Sequence, residues 1–324
     1  MAMNIKQLFQ IEKKPKKGLF AVEWVIMGYL ALTSLLIFFT YVKLHNPESM
    51  LMERFRVVAI TAALWLVYRL LPCRLTRFFR ILAQLMMLSW WYPDTYELNR
   101  IFPNFDHVVA GWEQSLFGCQ PALLFSQKMP WAVVSELMNL GYTCYFPLIA
   151  VVVFFFFLWR YNDFHRATFI ILSSFFIYYV VFIFVPVAGP QYYYPAVGME
   201  KIAQGVFPNV HDHFATMREA LPTPGWKDGF FYQMVVSAHA AGERATAAFP
   251  SSHVGVSTIL MFLAWQTRNR RFFWLLMPFY VLLCLSTVYI YAHYAVDVIA
   301  GWISGVLVFF VLHFGYKALV KKEG

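Results

Sequence analysis

Long apolar stretches separated by short polar connections dominate the pattern of this chain. They run from Phe20 to Val42, Gly141 to Leu158, Thr168 to Val185, Phe272 to Tyr291 and Val296 to His313. An α-helix needs about 18 or more such residues to cross the hydrocarbon core of a bilayer. The first stretch is longer than the apolar core of a signal peptide, and no small-residue cleavage site follows it, so we interpret it as a retained helix. The pattern predicts a polytopic membrane protein.

Weaker apolar stretches add to the expected number of spans. They lie near Phe55–Leu71 and Phe78–Tyr92, and a further one begins near Phe249, so the total is about eight. We therefore predict an all-α membrane bundle with a core of about six helices and two additional helices at the N-terminus. Residues 1–92 are expected to form N-terminal transmembrane helices, and residues 93–324 to form the membrane domain that carries the chemistry.

The distribution of charge orients the predicted bundle and explains its net charge of +9. With eight spans, most of the 26 basic residues lie in short segments on one side, and most of the 17 acidic residues lie on the other. Because cytoplasmic loops are enriched in Lys and Arg, both termini are expected in the cytoplasm. The basic excess therefore reflects topology, and we expect membrane lipids rather than nucleic acid as partners. In a bacterium this predicts the inner membrane with the external loops in the periplasm; in a eukaryote those loops would face a secretory lumen.

The first candidate for chemistry lies at Phe249–His253, with the sequence FPSSH, where the long external loop Val187–Ala248 meets a span. A proline followed by serines is typical of a helix start with a serine N-cap. The unpaired amides and positive dipole end of a helix start suit a phosphate, and His253 would lie in the first turn beside it. The structural alternative is an ordinary capped helix with a histidine at the membrane interface.

The second candidate lies at His293–Asp297, with the sequence HYAVD, at the start of the last span. Residues four apart share one helix face, so Asp297 is expected to accept a hydrogen bond from one ring nitrogen of His293. That bond would fix the tautomer and leave the other nitrogen as a nucleophile. The alternative is a histidine and an aspartate that only satisfy each other.

Topology connects the two candidates. His253 and His293 each begin a span that runs in the same direction, so both are predicted to lie at the same depth on the external side. If neither histidine were functional, their equal depth in the membrane would be a coincidence. We therefore favour a catalytic pair of histidines.

The two motifs resemble the second and third motifs of the type-2 phosphatidic acid phosphatase superfamily. The longer form HYAVDVIAG is similar to the branch that holds inositol phosphorylceramide synthases and sphingomyelin synthases. Weaker similarity to that branch lies at Leu116–Gly118 with Pro121, and at Val185–Pro190. The resemblance extends from about Asp106 to the C-terminus.

The resemblance implies a role for each residue of the site. His293 would attack phosphorus and form a phosphohistidine, Asp297 would orient it, and His253 would protonate the leaving oxygen and then deprotonate the acceptor. Ser251 and the amides of Ser251 and Ser252 would hold phosphate oxygens, with Ser252 at a position where many members have glycine. The resemblance implies no metal and no organic cofactor.

The chain departs from the phosphatase members at two positions where they carry arginine. Thr287 stands at one of these positions and Gln191 at the other. Because phosphoryl transfer depends on cations around the charged oxygens, another group must substitute, and Arg244 is the candidate; the alternative is a solvated loop arginine. The missing arginines are shared with the lipid phosphotransferase branch and favour a transferase.

Three functions remain open at this point. The leading one is transfer of a phosphate-containing headgroup between a phospholipid and a lipid alcohol, as in an inositol phosphorylceramide synthase. The second is hydrolysis of a lipid phosphate such as phosphatidic acid or a polyprenyl diphosphate. The third, from another class, is a transporter or scaffold without catalysis, which buried charge pairs within the spans would favour. The cluster His211-Asp212-His213 has no further ligand at typical metal spacing, so we assign no metal site.

Overall fold

The computed structural model of the chain describes residues 3–217, 219–242 and 244–323. Within these residues the protein is all-helical, as predicted, and contains no β-strand. The helices in chain order are α1 (Ile5–Leu8), α2 (Ala21–Thr40), α3 (Pro47–Leu70), α4 (Arg74–Met86), α5 (Leu88–Asn99), α6 (Asp106–Phe117), α7 (Pro121–Lys128), α8 (Ala132–Thr143), α9 (Tyr145–Trp159), α10 (Tyr161–Phe184), α11 (Pro190–Val197), α12 (Met199–Ala203), α13 (His213–Thr216), α14 (Phe230–Gly242), α15 (Ser252–Gln266), α16 (Arg270–Tyr289) and α17 (Ala295–Glu323).

Several helices are long and apolar enough to cross a membrane, so the chain is an integral membrane protein. In the described residues there are four, at Ala21–Lys43, Tyr161–Phe184, Arg270–Tyr289 and Ala295–Leu319, and a fifth if the bent pair α8 and α9 crosses as one span. The predicted total of eight stays a prediction. It additionally requires α3, which carries charged residues along its length, the broken pair α4 and α5, and the shorter α15.

The helices form two compact units. The first contains Met1–Leu98, Val152–Ile177 and Phe310–Gly324, and the second contains Asn99–Val151 and Tyr178–Phe309. The sequence predicted a different boundary, between N-terminal transmembrane helices in residues 1–92 and the membrane domain with the chemistry in residues 93–324. That boundary stays a prediction.

Buried ion pairs hold the first unit together. Arg80 on α4 contacts Glu23 on α2 at 2.5 Å, and both side chains are almost fully buried. Arg54 on α3 makes two hydrogen bonds with the Asp94 carboxylate on α5, at 3.0 and 2.8 Å. A charge inside an apolar unit is costly unless it is paired, and these two contacts pair buried charges while connecting α4 to α2 and α3 to α5.

Close backbone contact between α15 and α17 organises the second unit. A Cβ atom added to Gly301 of α17 would lie 2.7 Å from the carbonyl oxygen of Ser251. A Cβ atom added to Gly305 would lie 2.7 Å from the carbonyl oxygen of Gly255 on α15. Small residues let helices in membranes pack backbone against backbone, where side chains would separate them. This glycine contact brings the start of α15 next to the start of α17. Helix α16 packs on both α15 and α8, and α14 packs on α8.

Candidate active site

The two predicted histidines lie side by side in the second unit. Nδ1 of His253 is 3.3 Å from Nε2 of His293, and the ring centroids are 5.4 Å apart. His253 lies in the first turn of α15, and His293 lies just before α17. The proximity predicted from topology is therefore present, although the two residues are far apart in the sequence.

A backbone carbonyl fixes the tautomer of His293. Its Nδ1 is 2.8 Å from the carbonyl oxygen of Ala248 and 3.5 Å from Oδ2 of Asp297. Because a carbonyl oxygen only accepts, Nδ1 must carry the proton, and the lone pair of a neutral His293 is then on Nε2, facing His253. The sequence predicted this role for Asp297. In the structure the carboxyl group of Asp297 lies close to Nδ1, and the hydrogen bond of Nδ1 is to the carbonyl of Ala248.

Asp297 also joins the two helices that carry the histidines. Its Oδ2 accepts from the amide of Tyr294 at 2.8 Å, and its backbone carbonyl accepts from the amide of Ser251 at 3.0 Å. Within the described residues, Oδ1 of Asp297 has no hydrogen-bond partner. The carboxylate therefore retains an acceptor next to the imidazole of His293.

The predicted serine N-cap is present, and the amide of Ser251 has an acceptor within the protein. Ser251 is the N-cap of α15, and its hydroxyl accepts from the amide of Val254 at 3.3 Å. The amide of Ser251, which was assigned to a phosphate oxygen, already donates to the carbonyl of Asp297. The first amides of a helix have no acceptor within it, so the amides of Ser252 and His253 suit an anion; the phosphate roles predicted for Ser251 and Ser252 stay predictions.

Two tyrosines enclose the ring of His253. Tyr142 stacks on it at a centroid distance of 5.0 Å, and Tyr145 lies at 4.4 Å in a tilted arrangement. Both tyrosines flank Cys144, where α8 and α9 meet at an angle of 47°. Sequence reasoning missed them because they lie at the start of a long apolar stretch, where a tyrosine is expected only as an interfacial anchor.

Two buried carboxyl groups on α6 support the loops around the histidines. Asp106 accepts from the amides of Ala188 and Gly189 at 2.6 and 2.8 Å and from the hydroxyl of Tyr294 at 3.0 Å. Glu113 accepts from the amide of Val296, in the first turn of α17, at 3.0 Å. Burial raises the pKa of Glu113 to about 8, and the neighbouring Asp297 adds to this shift. The sequence signal was their spacing of seven residues, which places both on one face of α6.

Gln191 lies in the second unit and contacts a histidine that sequence reasoning did not select. Gln191 is 5% exposed, and its Nε2 is 3.2 Å from the carbonyl of Leu221 and 3.4 Å from Nδ1 of His239. His239 lies on α14, and its ring is edge-on to Tyr142 at 5.7 Å. Within the long loop Val187–Ala248, no motif distinguished His239 from the other histidines.

The other residues predicted from the loop are placed as follows. Arg244 is half-buried, and its backbone carbonyl accepts from the amide of Thr246; its role toward phosphate stays a prediction. His211 and Asp212 are exposed, and His213 is half-buried. In the part of the chain that the structure describes, no group of three or more His, Cys, Asp or Glu residues is arranged to hold a metal ion.

Comparison with known families assigns the class of this protein. The family described as the PAP2 superfamily matches residues 107–311. The match covers more than half of the chain and includes both histidine motifs, so the chain belongs to the PAP2 superfamily. Members are phosphatases and phosphotransferases that act on lipid phosphates, and the chain is a membrane enzyme of this kind. The chain has no significant match among curated proteins or among solved structures.

Proposed function

We propose that the chain transfers a phosphate-containing lipid headgroup to a lipid alcohol through a phosphohistidine on His293, in the manner of an inositol phosphorylceramide synthase. The observation that carries this proposal is the contact between His253 and His293, with the lone pair of a neutral His293 held on Nε2 by the Ala248 carbonyl. A nucleophile and an acid–base group within hydrogen-bond reach of each other are what two-step group transfer needs.

In the first step, Nε2 of His293 attacks phosphorus, and the bond between phosphorus and the leaving oxygen breaks. His253, protonated when the anionic substrate binds, gives its proton to that oxygen. The phosphohistidine is cationic at the ring, and the carboxylate of Asp297, 3.5 Å from Nδ1, stabilises it. In the second step, neutral His253 takes the proton of the acceptor hydroxyl, whose oxygen attacks phosphorus, and the bond to His293 breaks. Both residues then return to their starting states.

The burial of the nucleophile favours a lipid acceptor. His293 is 3% exposed and Asp297 is fully buried, so a phosphohistidine at this position would be shielded from bulk water. An acceptor delivered by its own apolar tail would reach it through the membrane. Hydrolysis is the second candidate; it uses the same three residues with water as the acceptor.

A transporter or scaffold is the candidate from another class. The buried pairs Glu23–Arg80 and Arg54–Asp94 are of the kind that transport would use. They lie in the first unit, whereas the histidines lie in the second. Loss of function in His293→Ala separates catalysis from this candidate, because a scaffold would keep its function.

The decisive experiment incubates purified protein with a headgroup-labelled phospholipid, with and without ceramide or diacylglycerol. We expect labelled product only when the lipid alcohol is present, and we expect His293→Ala to lower the rate by about 1,000-fold or more. The matched control is His213→Ala, a histidine of the external loop outside the site. Release of free headgroup or phosphate without an acceptor would replace the transferase with a phosphatase. Full activity in His293→Ala would reject both.

We further infer that the site faces away from the cytoplasm, the periplasm if the host is a bacterium, because the basic residues flank the opposite ends of the spans. A cysteine at the exposed position of His211 should react with a membrane-impermeant maleimide in intact cells. Labelling only after the membrane is opened would reverse this orientation.

A further inference from the structure

A third histidine lies beside the catalytic pair and has no role in the steps above. We propose that His239, positioned by Gln191, donates a hydrogen bond to the phosphate oxygens of the substrate bound at His253 and His293. This inference rests on the proposed function and assigns a further substrate-contacting residue to that site.

The position of His239 follows from a shared tyrosine. The ring of Tyr142 stacks on His253 at 5.0 Å, and the same ring meets His239 edge-on at 5.7 Å. His239 therefore belongs to the immediate surroundings of the catalytic pair.

Helix α14, which carries His239, is anchored to α8 at its first turn. The carboxylate of Glu136, on α8, accepts from the amides of Phe231 and Tyr232 at 2.9 and 3.0 Å. These amides lie in the first turn of α14, where no acceptor within the helix exists. Because α8 also carries Tyr142, one helix positions both His239 and the aromatic ring on His253.

Gln191 determines which ring nitrogen of neutral His239 carries the proton. The backbone of Gln191 is held by two hydrogen bonds. Its backbone N–H donates to the carbonyl of Tyr291, and its backbone carbonyl accepts from the amide of Leu221. Its Nε2 donates to the carbonyl of Leu221, which fixes the orientation of the side-chain amide. The same nitrogen faces Nδ1 of His239, so Nδ1 must accept and Nε2 of His239 must carry the proton.

The charge of the substrate explains why such a donor is needed. A phosphoryl group in transfer presents several anionic oxygens, and fixed donors aimed at them lower the barrier. The amide of Ser251 is already bonded to Asp297, so the helix start offers fewer donors than its sequence suggests. In addition, within the described residues, Oε1 of the buried Gln191 has no hydrogen-bond partner. A hydroxyl of the substrate headgroup next to His239 would donate to it, whereas the phosphate oxygens accept from His239.

The test measures the affinity for phosphate separately from turnover. Orthovanadate, a phosphate mimic, is titrated as an inhibitor of the wild type, His239→Ala, His239→Asn and the control His213→Ala. A hydrogen bond to a charged group is lost in His239→Ala, so we expect its inhibition constant for vanadate and its KM to rise by about 10- to 100-fold. His239→Asn keeps an amide donor and should recover part of this loss, whereas His213→Ala should match the wild type.

The outcomes separate this inference from the proposed function. If wild-type turnover does not depend on His293, the proposed function fails. If turnover depends on His293 but vanadate inhibition is unchanged in both His239 variants, only the role of His239 is refuted. Should His239→Ala fail to fold, Gln191→Leu decides in its place, because it removes the amide that sets the tautomer of His239. An unchanged KM and unchanged vanadate inhibition in Gln191→Leu would then overturn the proposal.

Discussion

The contact between α15 and α17 makes the site sensitive to a single methyl group. In Gly301→Ala, the new Cβ would lie 2.7 Å from the carbonyl oxygen of Ser251 and 3.1 Å from Cβ of Val254. Ordinary contact begins at 3.4 Å, so the helices must separate locally by roughly 0.7 Å. The atoms that oppose this methyl group are backbone and Cβ atoms, which cannot rotate away.

This separation acts directly on the geometry of the proposed catalytic pair. Ser251 is the N-cap of the helix that carries His253, and its amide is bonded to the carbonyl of Asp297, four residues after His293. A misplacement approaching 1 Å between reacting groups costs up to about 100-fold in rate. Overpacking of this kind lowers the free energy of unfolding by about 1–3 kcal/mol. We expect Gly301→Ala to reduce kcat about 10- to 100-fold with a smaller change in KM.

The same helix provides the matched control. A Cβ atom added to Gly315 of α17 would have nothing within 4 Å, so Gly315→Ala should keep full activity and gain a few tenths to about 1 kcal/mol of stability. The assay is the lipid transfer reaction with purified protein, and stability is followed by thermal unfolding in detergent. Equal activity in Gly301→Ala and Gly315→Ala would refute the argument that this contact sets the distance between the histidines.

Three further predictions concern charge and capping. Burial raises the pKa of Glu113 to about 8 from 4.5. The folded chain then keeps a proton that the unfolded chain has lost, and stability should fall by about 1.4 kcal/mol per pH unit as pH rises between these values; Glu113→Gln should flatten this dependence in thermal unfolding at several pH values. Asp94→Asn leaves Arg54 buried without its countercharge and should cost about 3–5 kcal/mol in denaturant titration, whereas Asp163→Asn at a part-exposed pair should cost under about 1 kcal/mol. Ser251→Ala removes the N-cap of α15 and should cost about 1 kcal/mol in thermal unfolding, most of which Ser251→Gly should recover.

The sequence predicted those parts of the molecule that depend on local pattern. Apolar length identified α2, α10, α16 and α17, and the two histidine motifs identified the pair that meets in the second unit. Their proximity was predictable because both motifs were expected to begin spans of the same direction.

The remaining parts depend on tertiary contacts that carry no local signal. The bend at Cys144 places Tyr142 and Tyr145 next to the ring of His253. No sequence feature of this apolar stretch predicts the bend. The acceptor for Nδ1 of His293 is a main-chain carbonyl, so no side chain at Ala248 indicated it. The use of the Ser251 amide also depends on a backbone atom, the carbonyl of Asp297.

The bond from His293 to the Ala248 carbonyl makes part of the proposed reaction machinery independent of side-chain identity. The peptide is held from its other side as well, because the amide of Ala248 donates to the carbonyl of Val187 at 2.9 Å. A scan of small side chains at position 248 would therefore report a tolerant site, while proline there would remove that anchor. An ester in place of the peptide bond between Ala248 and Phe249 would weaken the carbonyl as an acceptor. It would therefore measure how much the hydrogen bond from His293 contributes, which side-chain substitutions cannot test.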